Sequence, residues 1–220
     1  MEIPVCLGKL GKMLDFVKKY SDNGLYSQNG EYGIIREIIK RIGLSEGVAV
    51  EFGAADGFYC SNTADLCNEF KWTRHLYDLV PTGTGVAQME ITQDNVNILP
   101  KCDLLSIDID GNDFNVWKSY EGRPAIVVIE INSSLDPEVE FFHPNRGSSF
   151  WSMNRLASDK GYFLLCHTGN CVYVDLKYKD LFPEINLIVT AEKFFNRGWL
   201  PKEETANEFS LSNNNGFYYQ

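Results

Sequence analysis

The stretch of sequence best suited to chemistry is SIDIDGND at residues 106–113. If its first half forms a β-strand, Asp108 and Asp110 point to the same face, because side chains alternate along a strand. Two neighbouring carboxylates repel each other, and burying them is costly unless a cation, a proton or hydrogen-bond donors compensate. The pair therefore predicts a site for a cationic ligand, a divalent metal or a shared proton.

A second apolar run, VVIEIN at residues 127–132, ends in Glu130 and Asn132 with the same spacing of two. Ligands of parallel α/β sheets bind at the carboxyl ends of the strands, so we expect both runs to deliver their polar residues to one place. Asp110, Glu130 and Asn132 offer the oxygen ligands that Mg²⁺ prefers, and they are our candidate metal ligands. The alternatives are contacts to substrate hydroxyls or a hydrogen-bond network that closes the mouth of the sheet. Asp110 and Glu130 are also candidate proton acceptors in catalysis.

A glycine-rich loop, EFGAADG at residues 51–57, follows the first strand-like run. Gly53 would let the backbone approach a ligand closely, and Gly57 would permit a turn conformation that most residues avoid. The loop matches neither the dinucleotide motif G-x-G-x-x-G nor a P-loop, and Asp56 would repel a phosphate. The pattern favours a ligand that is cationic or carries hydroxyl groups. The alternative is an ordinary turn between a strand and a helix.

Two further segments carry candidate residues. Asp78 ends the second strand-like run, where a carboxylate can accept hydrogen bonds from two ribose hydroxyls or can simply be solvated. His143 and Arg146 lie in FFHPNRG, a loop after the fourth strand-like run that should hang over the site. His143 is the candidate histidine base and Arg146 a candidate substrate clamp, with an ordinary surface loop as the alternative.

Short apolar runs that alternate with helical segments must position these residues. Four runs bounded by turn residues predict strands, namely VAVEFG, HLYDLV, CDLLSIDID and AIVVIEI. Their alternation with helices predicts a parallel sheet that is buried on both faces. The runs YFLLC and CVYVD, separated by a turn containing Gly169 and Asn170, predict a β-hairpin towards the C-terminus, and INLIVT at residues 185–190 predicts another strand.

Helical periodicity covers residues 8–20 and 31–43, and residues 61–70 predict a helix that Ser61 or Asn62 would cap. We therefore divide the chain into three parts. Residues 1–46 form a helical segment that packs on the core, residues 47–200 form the main domain, and residues 201–220 form a tail.

The amino-acid composition limits which binding partners and which cellular compartment we expect for this chain. The chain has 220 residues, a formal charge of −10 and a pI of about 4.8, which disfavours binding to nucleic acid because that affinity depends on lysine and arginine. No apolar run approaches the roughly 20 residues that span a bilayer, and the N-terminus lacks a signal-peptide pattern, so we expect no membrane association and a cytoplasmic location. The six cysteines form no C-x-x-C pair, which favours reduced structural thiols over a zinc site. A Cys166–Cys171 disulfide would need an oxidising compartment.

The ordered set of motifs resembles the FkbM-type S-adenosylmethionine-dependent methyltransferases. The resemblance covers roughly residues 25–176. Its main segments are SQNGEYGII at 27–35, VEFGAADGFYCSN at 50–62, ITQDNVNIL at 91–99, DLLSIDIDGNDFNVW at 103–117 and VVIEIN at 127–132. The family implies a Rossmann-like class I methyltransferase fold, which is a mostly parallel seven-stranded α/β sheet with a C-terminal antiparallel hairpin.

The resemblance also implies roles for individual residues. Asp78 would hold the ribose, Asp94 would contact the adenine unless Thr92 merely caps a helical turn there, and Asp108 would lie near the methionine end of the cofactor or near the substrate. The full set of expected cofactor-binding residues is Glu51, Gly53, Ala54, Asp56, Gly57, Asn62, Asp78, Asp94 and Asp108. The sequence departs from the family at His75–Asp78, where a Gly-Leu-x-Ile-Glu type segment is usual, and at Tyr32, where GEYG replaces GEDG.

The expected activity is methyl transfer from S-adenosylmethionine to a sugar hydroxyl or a related small molecule, with Mg²⁺ as a possible second cofactor and a small-molecule or glycan acceptor as partner. The expected catalytic residues are Asp110, Glu130 and His143. Two alternatives belong to other classes. One is a non-catalytic module that binds nucleosides or glycans on the same fold, and the other is an NAD-dependent oxidoreductase, which the missing G-x-G-x-x-G motif disfavours.

Overall fold

The computed structural model describes residues 10–185 and residue 189, and its centre is a seven-stranded sheet. In chain order the strands of this sheet are β1 (Val48–Phe52), β2 (Thr73–Asp78), β3 (Val86–Gln88), β4 (Leu104–Ile107), β5 (Ile126–Glu130), β8 (Tyr162–His167) and β9 (Asn170–Asp175). Their order across the sheet is β3-β2-β1-β4-β5-β9-β8. The pairs from β3 to β5 are all parallel, whereas β9 runs antiparallel to both β5 and β8. This arrangement is the Rossmann-like class I methyltransferase fold and confirms the predicted fold class.

Five α-helices and a two-stranded ribbon complete the described chain. The helices are α1 (Leu10–Tyr20), α2 (Glu31–Ile42), α3 (Ala64–Glu69), α4 (Asp113–Ser119) and α5 (Phe150–Asp159), and the ribbon pairs β6 (Phe142–His143) with β7 (Gly147–Ser148). Short 3₁₀ helices lie at Val96–Ile98 and Leu176–Leu181. No helix in the described part of the chain is long and apolar enough to cross a membrane.

The sheet forms the core because its central strands are apolar on both faces. Every residue of β4 is buried, and so are all but the last of β5, as expected for parallel strands that helices cover on each side. Helix α2 presents one face of isoleucines to this core, and all four side chains are fully buried. They are Ile34, Ile35, Ile38 and Ile39. Burying each such side chain contributes about 1.5–3 kcal/mol, so α2 is fixed firmly beside the sheet.

Most predicted elements are confirmed, with shifts at their ends. The helix expected at residues 61–70 is shorter, because it begins at Ala64 and the residues before it make other contacts. Thr63 precedes the helix without a side-chain capping bond of its own, whereas Ser61 Oγ accepts from the N–H of Ala64, the first residue of the helix, at 3.1 Å. The strand expected at residues 185–190 and the tail at 201–220 lie outside the described residues, apart from Ile185 and Val189, so the proposed division of the chain stays a prediction.

Strands β8 and β9 confirm the β-hairpin predicted towards the C-terminus. Their register also shows whether Cys166 and Cys171 can form a disulfide. Cys166 pairs with Val172 across the two strands, and His167 pairs with Cys171. Because neighbouring residues of a strand point to opposite faces, the Cys166 and Cys171 side chains project from opposite faces of the hairpin. Both are buried free thiols, and this placement excludes a disulfide between them.

Candidate active site

The loops that follow β1, β2, β4 and β5 lie together at the carboxyl edge of the sheet, where ligands of this class of fold bind. The backbone is unusual at the same edge. The non-glycine residues with positive φ in the described chain are Ala55 at 47°, Cys60 at 54° and Asp110 at 56°, and all three follow β1 or β4. Each such residue costs of order 1–3 kcal/mol, and such residues cluster at functional sites. The strained backbone and the polar side chains therefore mark one region.

The first loop is shaped by its contact with the end of β4. Gly53 has a φ of +73°, and a Cβ atom added to it would lie 1.6 Å from the carbonyl oxygen of Asp108. The Asp108 N–H in turn donates to the carbonyl of Phe52, at 3.2 Å. The absence of a side chain at Gly53 thus admits the backbone of Asp108, and the expected contact of Gly53 with a ligand stays a prediction. The glycine thus joins the two loops that carry the candidate site.

A buried ion pair between Glu51 and Arg74 supports the rest of the loop after β1. The Glu51 carboxylate accepts hydrogen bonds from Ser61 Oγ at 2.7 Å, Thr63 Oγ1 at 2.5 Å and the Asn62 N–H at 2.9 Å. The Arg74 guanidinium on β2 lies 3.3 Å from the same carboxylate. Glu51 therefore supports the loop through protein contacts, and its expected contact to a cofactor stays a prediction.

Two other expected cofactor residues are joined to this network. The Asn62 amide donates to Ser106 Oγ on β4, at 3.1 Å, and Arg74 also donates to the carbonyl of Gly57, at 2.6 Å. Gly57 has a positive φ of 83°, as its predicted turn role requires. The sequence analysis missed Arg74, although a charged residue within an inner strand is itself a signal of a buried ion pair.

Asp56 is partly exposed in the loop after β1. Its Oδ1 accepts hydrogen bonds from the backbone N–H groups of Tyr59 and Phe58, at 2.7 and 2.8 Å. These two donors hold the pKa of Asp56 below its usual range, so the side chain is a stable anion at neutral pH. Ala54 is buried just before it, and its N–H donates to the carbonyl of Tyr77 at 3.1 Å.

Asp78 connects the loops after β1 and β2. One carboxylate oxygen accepts from the Ala55 N–H and the other from the Val80 N–H, each at 2.7 Å. A carboxylate oxygen has two lone pairs, so each oxygen can still accept one hydroxyl hydrogen. The geometry fits the expected ribose contact. Asp94 lies further along the edge, exposed in the turn after β3, where its N–H donates to Thr92 Oγ1 at 3.3 Å.

Three carboxylates meet between the ends of β4 and β5. Asp108, Asp110 and Glu130 each place one oxygen within 4.8 Å of the others. Asp113 lies buried behind them and accepts from the N–H groups of Ile109 and Gly111, each at 2.9 Å, which holds the loop in its strained form. The sequence analysis gave no role to Asp113, although an acidic residue in the first turn of a helix is a known signal.

The environment of the cluster favours the protonated form of its carboxyl groups. Burial, followed by repulsion from Asp108, raises the pKa of Glu130. Asp108 is exposed on one side. Protein atoms nevertheless remove water from the rest of this carboxyl group, and this desolvation, followed by the negative charges of Asp113 and Asp110, raises its pKa as well. The interaction between the two carboxyl groups lowers the pKa of Asp108 and raises that of Glu130, so it favours a proton on Glu130.

The expected metal ligand Asn132 follows Glu130 in the loop after β5, and its side chain forms hydrogen bonds within that loop. Its Oδ1 accepts from the N–H of Ser134 at 3.0 Å and also from the Ser134 hydroxyl, and its Nδ2 donates to the carbonyl of Arg146 at 2.9 Å. Its amide oxygen therefore accepts two hydrogen bonds within the loop after β5. Asp108 lies beside Asp110 and Glu130 as a third carboxylate, and the metal triad of Asp110, Glu130 and Asn132 stays a prediction.

A cavity of about 280 Å³ opens beside the cluster. Its walls are the ends of β4 and β5 and the ribbon of β6 and β7, and it is lined by Asp110, Gly111, Asp113, Glu130, Ile131, Asn132, Ser133, Asn145, Arg146 and Gly147. His143 is not among these lining residues, and its Nδ1 accepts from the Asn145 N–H at 3.2 Å. Of the two candidates in this loop, Arg146 is the one that the structure brings to the cavity. His143 stays a prediction as a base.

Comparisons with known proteins add the following. No family model matches the chain, and no curated protein matches it. A solved structure with a similar fold is the SAH-bound form of CalO1, a methyltransferase in calicheamicin biosynthesis, with 15% sequence identity and a TM-score of 0.40. The match covers 66% of this chain and 55% of that one, so the chain spans little more than half the length of CalO1. The fold assignment therefore rests on the strand order described above.

Proposed function

We propose that the protein is an S-adenosylmethionine-dependent methyltransferase of the FkbM type that methylates a hydroxyl group of a sugar or a related small molecule. The observation that supports this most is the row of groups along the carboxyl edge. The loop after β1, the Asp78 carboxylate after β2 and the proton-sharing pair after β4 and β5 lie in the order in which a nucleoside, a sulfonium and an acceptor would need them.

The half of the edge formed by β1 and β2 suits the nucleoside. Asp78 has one free lone pair on each oxygen for the two ribose hydroxyls. Leu79 and Val80 follow it with 59% and 68% of their surfaces exposed, so they offer an apolar surface on which a base can pack. Asp56, an anion in the loop after β1, would repel a pyrophosphate but would attract a cationic ligand.

The half formed by β4 and β5 suits the acceptor. When bound, S-adenosylmethionine supplies an electrophilic methyl group on a positively charged sulfur. The carboxylate form of the Asp108–Glu130 pair would accept the proton of the acceptor hydroxyl as its oxygen bonds to the methyl carbon and the carbon–sulfur bond breaks. Most of the rate enhancement would come from holding the hydroxyl in line with the methyl group.

Mg²⁺ is a second possible occupant of the cluster. Asp108, Asp110 and Glu130 offer the oxygen ligands that this ion prefers, although Mg²⁺ usually completes its shell with water and substrate atoms. A bound ion would displace the shared proton and would lower the pKa of a coordinated acceptor hydroxyl. Binding and turnover should therefore be measured with Mg²⁺ and with a chelator.

Calorimetric titration of the full chain with S-adenosylhomocysteine, adenosine and NAD tests the proposal. We expect micromolar affinity for S-adenosylhomocysteine, weaker binding of adenosine, and no binding of NAD. Tight binding of NAD alone would overturn the proposal in favour of an oxidoreductase. Binding of S-adenosylhomocysteine without release of it from S-adenosylmethionine, over a panel of sugar acceptors, would favour the non-catalytic module.

A further inference from the structure

Arg146 differs from the other arginines of the described chain. Five of these six arginines have a carboxylate within 4 Å of the guanidinium, and they are Arg36, Arg41, Arg74, Arg123 and Arg155. Within residues 10–185, no carboxylate lies within that distance of Arg146. In a chain of net charge −10, an arginine without an ion pair is unusual, and this one lines the cavity beside the carboxylate cluster.

The structure holds Arg146 in place without an ion pair to any of the described residues. Its N–H donates to the carbonyl of His143 at 3.0 Å, and its own carbonyl accepts from Asn132 Nδ2 at 2.9 Å. The guanidinium carbon lies 5.5 Å from the ring centroid of Phe141, so an aromatic face supports it. The backbone and the ring therefore fix a guanidinium whose hydrogen-bonding fork remains available to a ligand in the cavity.

The cavity is thus lined by groups of opposite charge. Asp110 and Glu130 line it, and so does Arg146. A neutral ligand would leave the guanidinium without an anion, whereas a phosphate dianion would double the repulsion from several carboxylates and the attraction to a single guanidinium, which is a larger net cost than a monoanion meets. A single carboxylate matches the guanidinium best, because the two planar groups can form two parallel hydrogen bonds.

We propose that Arg146 binds the carboxylate of a hydroxy-acid acceptor, such as a hexuronate, while the hydroxyl to be methylated faces Asp108 and Glu130. The inference rests on the proposed function and names its class of acceptor. The cavity of about 280 Å³ suits one sugar-sized unit, since it equals roughly nine times the volume of a water molecule in the liquid. The other source of a carboxylate in this site is the amino-acid end of the cofactor, and the experiment separates the two.

The first arm measures sugar binding by saturation-transfer difference NMR, with the full chain saturated with S-adenosylhomocysteine. D-glucuronate is compared with D-glucose, which has the same ring without the carboxylate. We expect the wild type to bind glucuronate at least tenfold more tightly than glucose. Arg146→Gln should remove this preference, Arg146→Lys should retain part of it because the charge remains without the fork, and Arg155→Gln should leave it intact. Arg155 is the matched control, because it is an exposed arginine on α5 that pairs with Glu140.

The second arm compares the affinities of S-adenosylhomocysteine and 5′-methylthioadenosine, which lacks the amino-acid end. We expect Arg146→Gln to change neither affinity. Weaker binding of S-adenosylhomocysteine alone would assign the carboxylate to the cofactor and would overturn the acceptor assignment. A wild type that binds glucuronate no better than glucose, or an unchanged preference in Arg146→Gln, would overturn the inference. If the wild type binds no S-adenosylhomocysteine, the proposed function fails, and the sugar arm repeated without nucleoside tests Arg146 by itself.

Discussion

The carboxyl edge of the sheet has two halves, and their carboxylates are in opposite states. In the half formed by β1 and β2, protein donors surround each carboxylate, and these residues are Glu51, Asp56 and Asp78. In the half formed by β4 and β5, carboxylates face one another, and these residues are Asp108, Asp110 and Glu130. The first half is organised by the protein alone, whereas the second is electrostatically incomplete until a proton, a cation or a ligand joins it. We therefore expect the half formed by β1 and β2 to contribute most to stability, and the half formed by β4 and β5 to carry the proton chemistry.

Removal of Glu51 should have the largest effect, because it breaks the organised half. Glu51→Ala leaves Arg74 and the donors around it without their buried acceptor, and the loss of one partner of such a pair typically costs about 3–5 kcal/mol. Urea denaturation followed by circular dichroism measures this loss. The control is Glu140→Ala, which breaks the exposed pair with Arg155 and should cost about 1 kcal/mol or less. Equal losses in the two variants would contradict the role of Glu51.

Gly53→Ala should have the next largest effect on stability, because Gly53 is where the loops after β1 and β4 contact each other. The new methyl group would meet the Asp108 carbonyl oxygen at 1.6 Å, in addition to the cost of a positive φ. Gly43→Ala is the matched control, since Gly43 has nearly the same φ of +74° and no atom within 4 Å of an added Cβ. We expect a loss of about 1 kcal/mol for Gly43→Ala and at least twice that for Gly53→Ala. Similar unfolding midpoints in the two variants would show that the close approach is unimportant.

Asp78→Ala should weaken the binding of S-adenosylhomocysteine at the half formed by β1 and β2, and should leave the carboxylate cluster after β4 and β5 in place. Loss of the carboxylate would remove the proposed acceptors for the two ribose hydroxyls. We expect at least a tenfold weaker affinity for S-adenosylhomocysteine by calorimetry, which corresponds to about 1.4 kcal/mol. Asp94→Ala removes an exposed carboxylate at the rim and should have a smaller effect. An unchanged affinity in Asp78→Ala would place the nucleoside elsewhere.

The smallest effect should be a pH dependence of the folding stability that arises from the half formed by β4 and β5. Because the folded-state pKa of Glu130 is raised, the folded protein binds more protons than the unfolded chain above about pH 5. The stabilising contribution of its protonated form is complete below that pH and is lost as the pH rises through the raised pKa. Glu130→Gln removes this titration, so its stability relative to the wild type should rise by about 1 kcal/mol between pH 5 and 6, where the unfolded glutamate has lost its proton and the folded one keeps it. A difference that stays constant over this range would contradict the shared proton.

The sequence predicted most of what depends on local pattern. The runs VAVEFG, CDLLSIDID and AIVVIEI became β1, β4 and β5, because a parallel sheet buried on both faces requires continuous apolar strands. The loops that follow them also met where predicted, since carboxyl ends of parallel strands share one edge. Asp108, Asp110 and Glu130 are adjacent for that reason alone.

What the sequence did not predict depends on register and on local competition. Glu51 meets Arg74 because Ala49 on β1 lies opposite Arg74 on β2, and this alignment cannot be read from either strand separately. The hydrogen bonds of the Asn132 side chain to Ser134 form a local turn that was not predicted, although asparagine often accepts from the N–H two residues further along. Ser61 accepts from the N–H of Ala64 at the start of α3, as predicted, but the hydrogen bond that it donates to Glu51 was not predicted.

The measurement that tests the central claim most directly is a titration of isotope-labelled protein with S-adenosylhomocysteine, followed by amide NMR shifts. We expect the largest shifts at Ala55, Val80 and Gly111, which lie in the loops of the carboxyl edge, and no shift at Asp103 or Gly161, which precede β4 and β8 at the opposite edge. Shifts confined to the opposite edge, or none at saturating ligand, would contradict the assignment of this edge as the cofactor site.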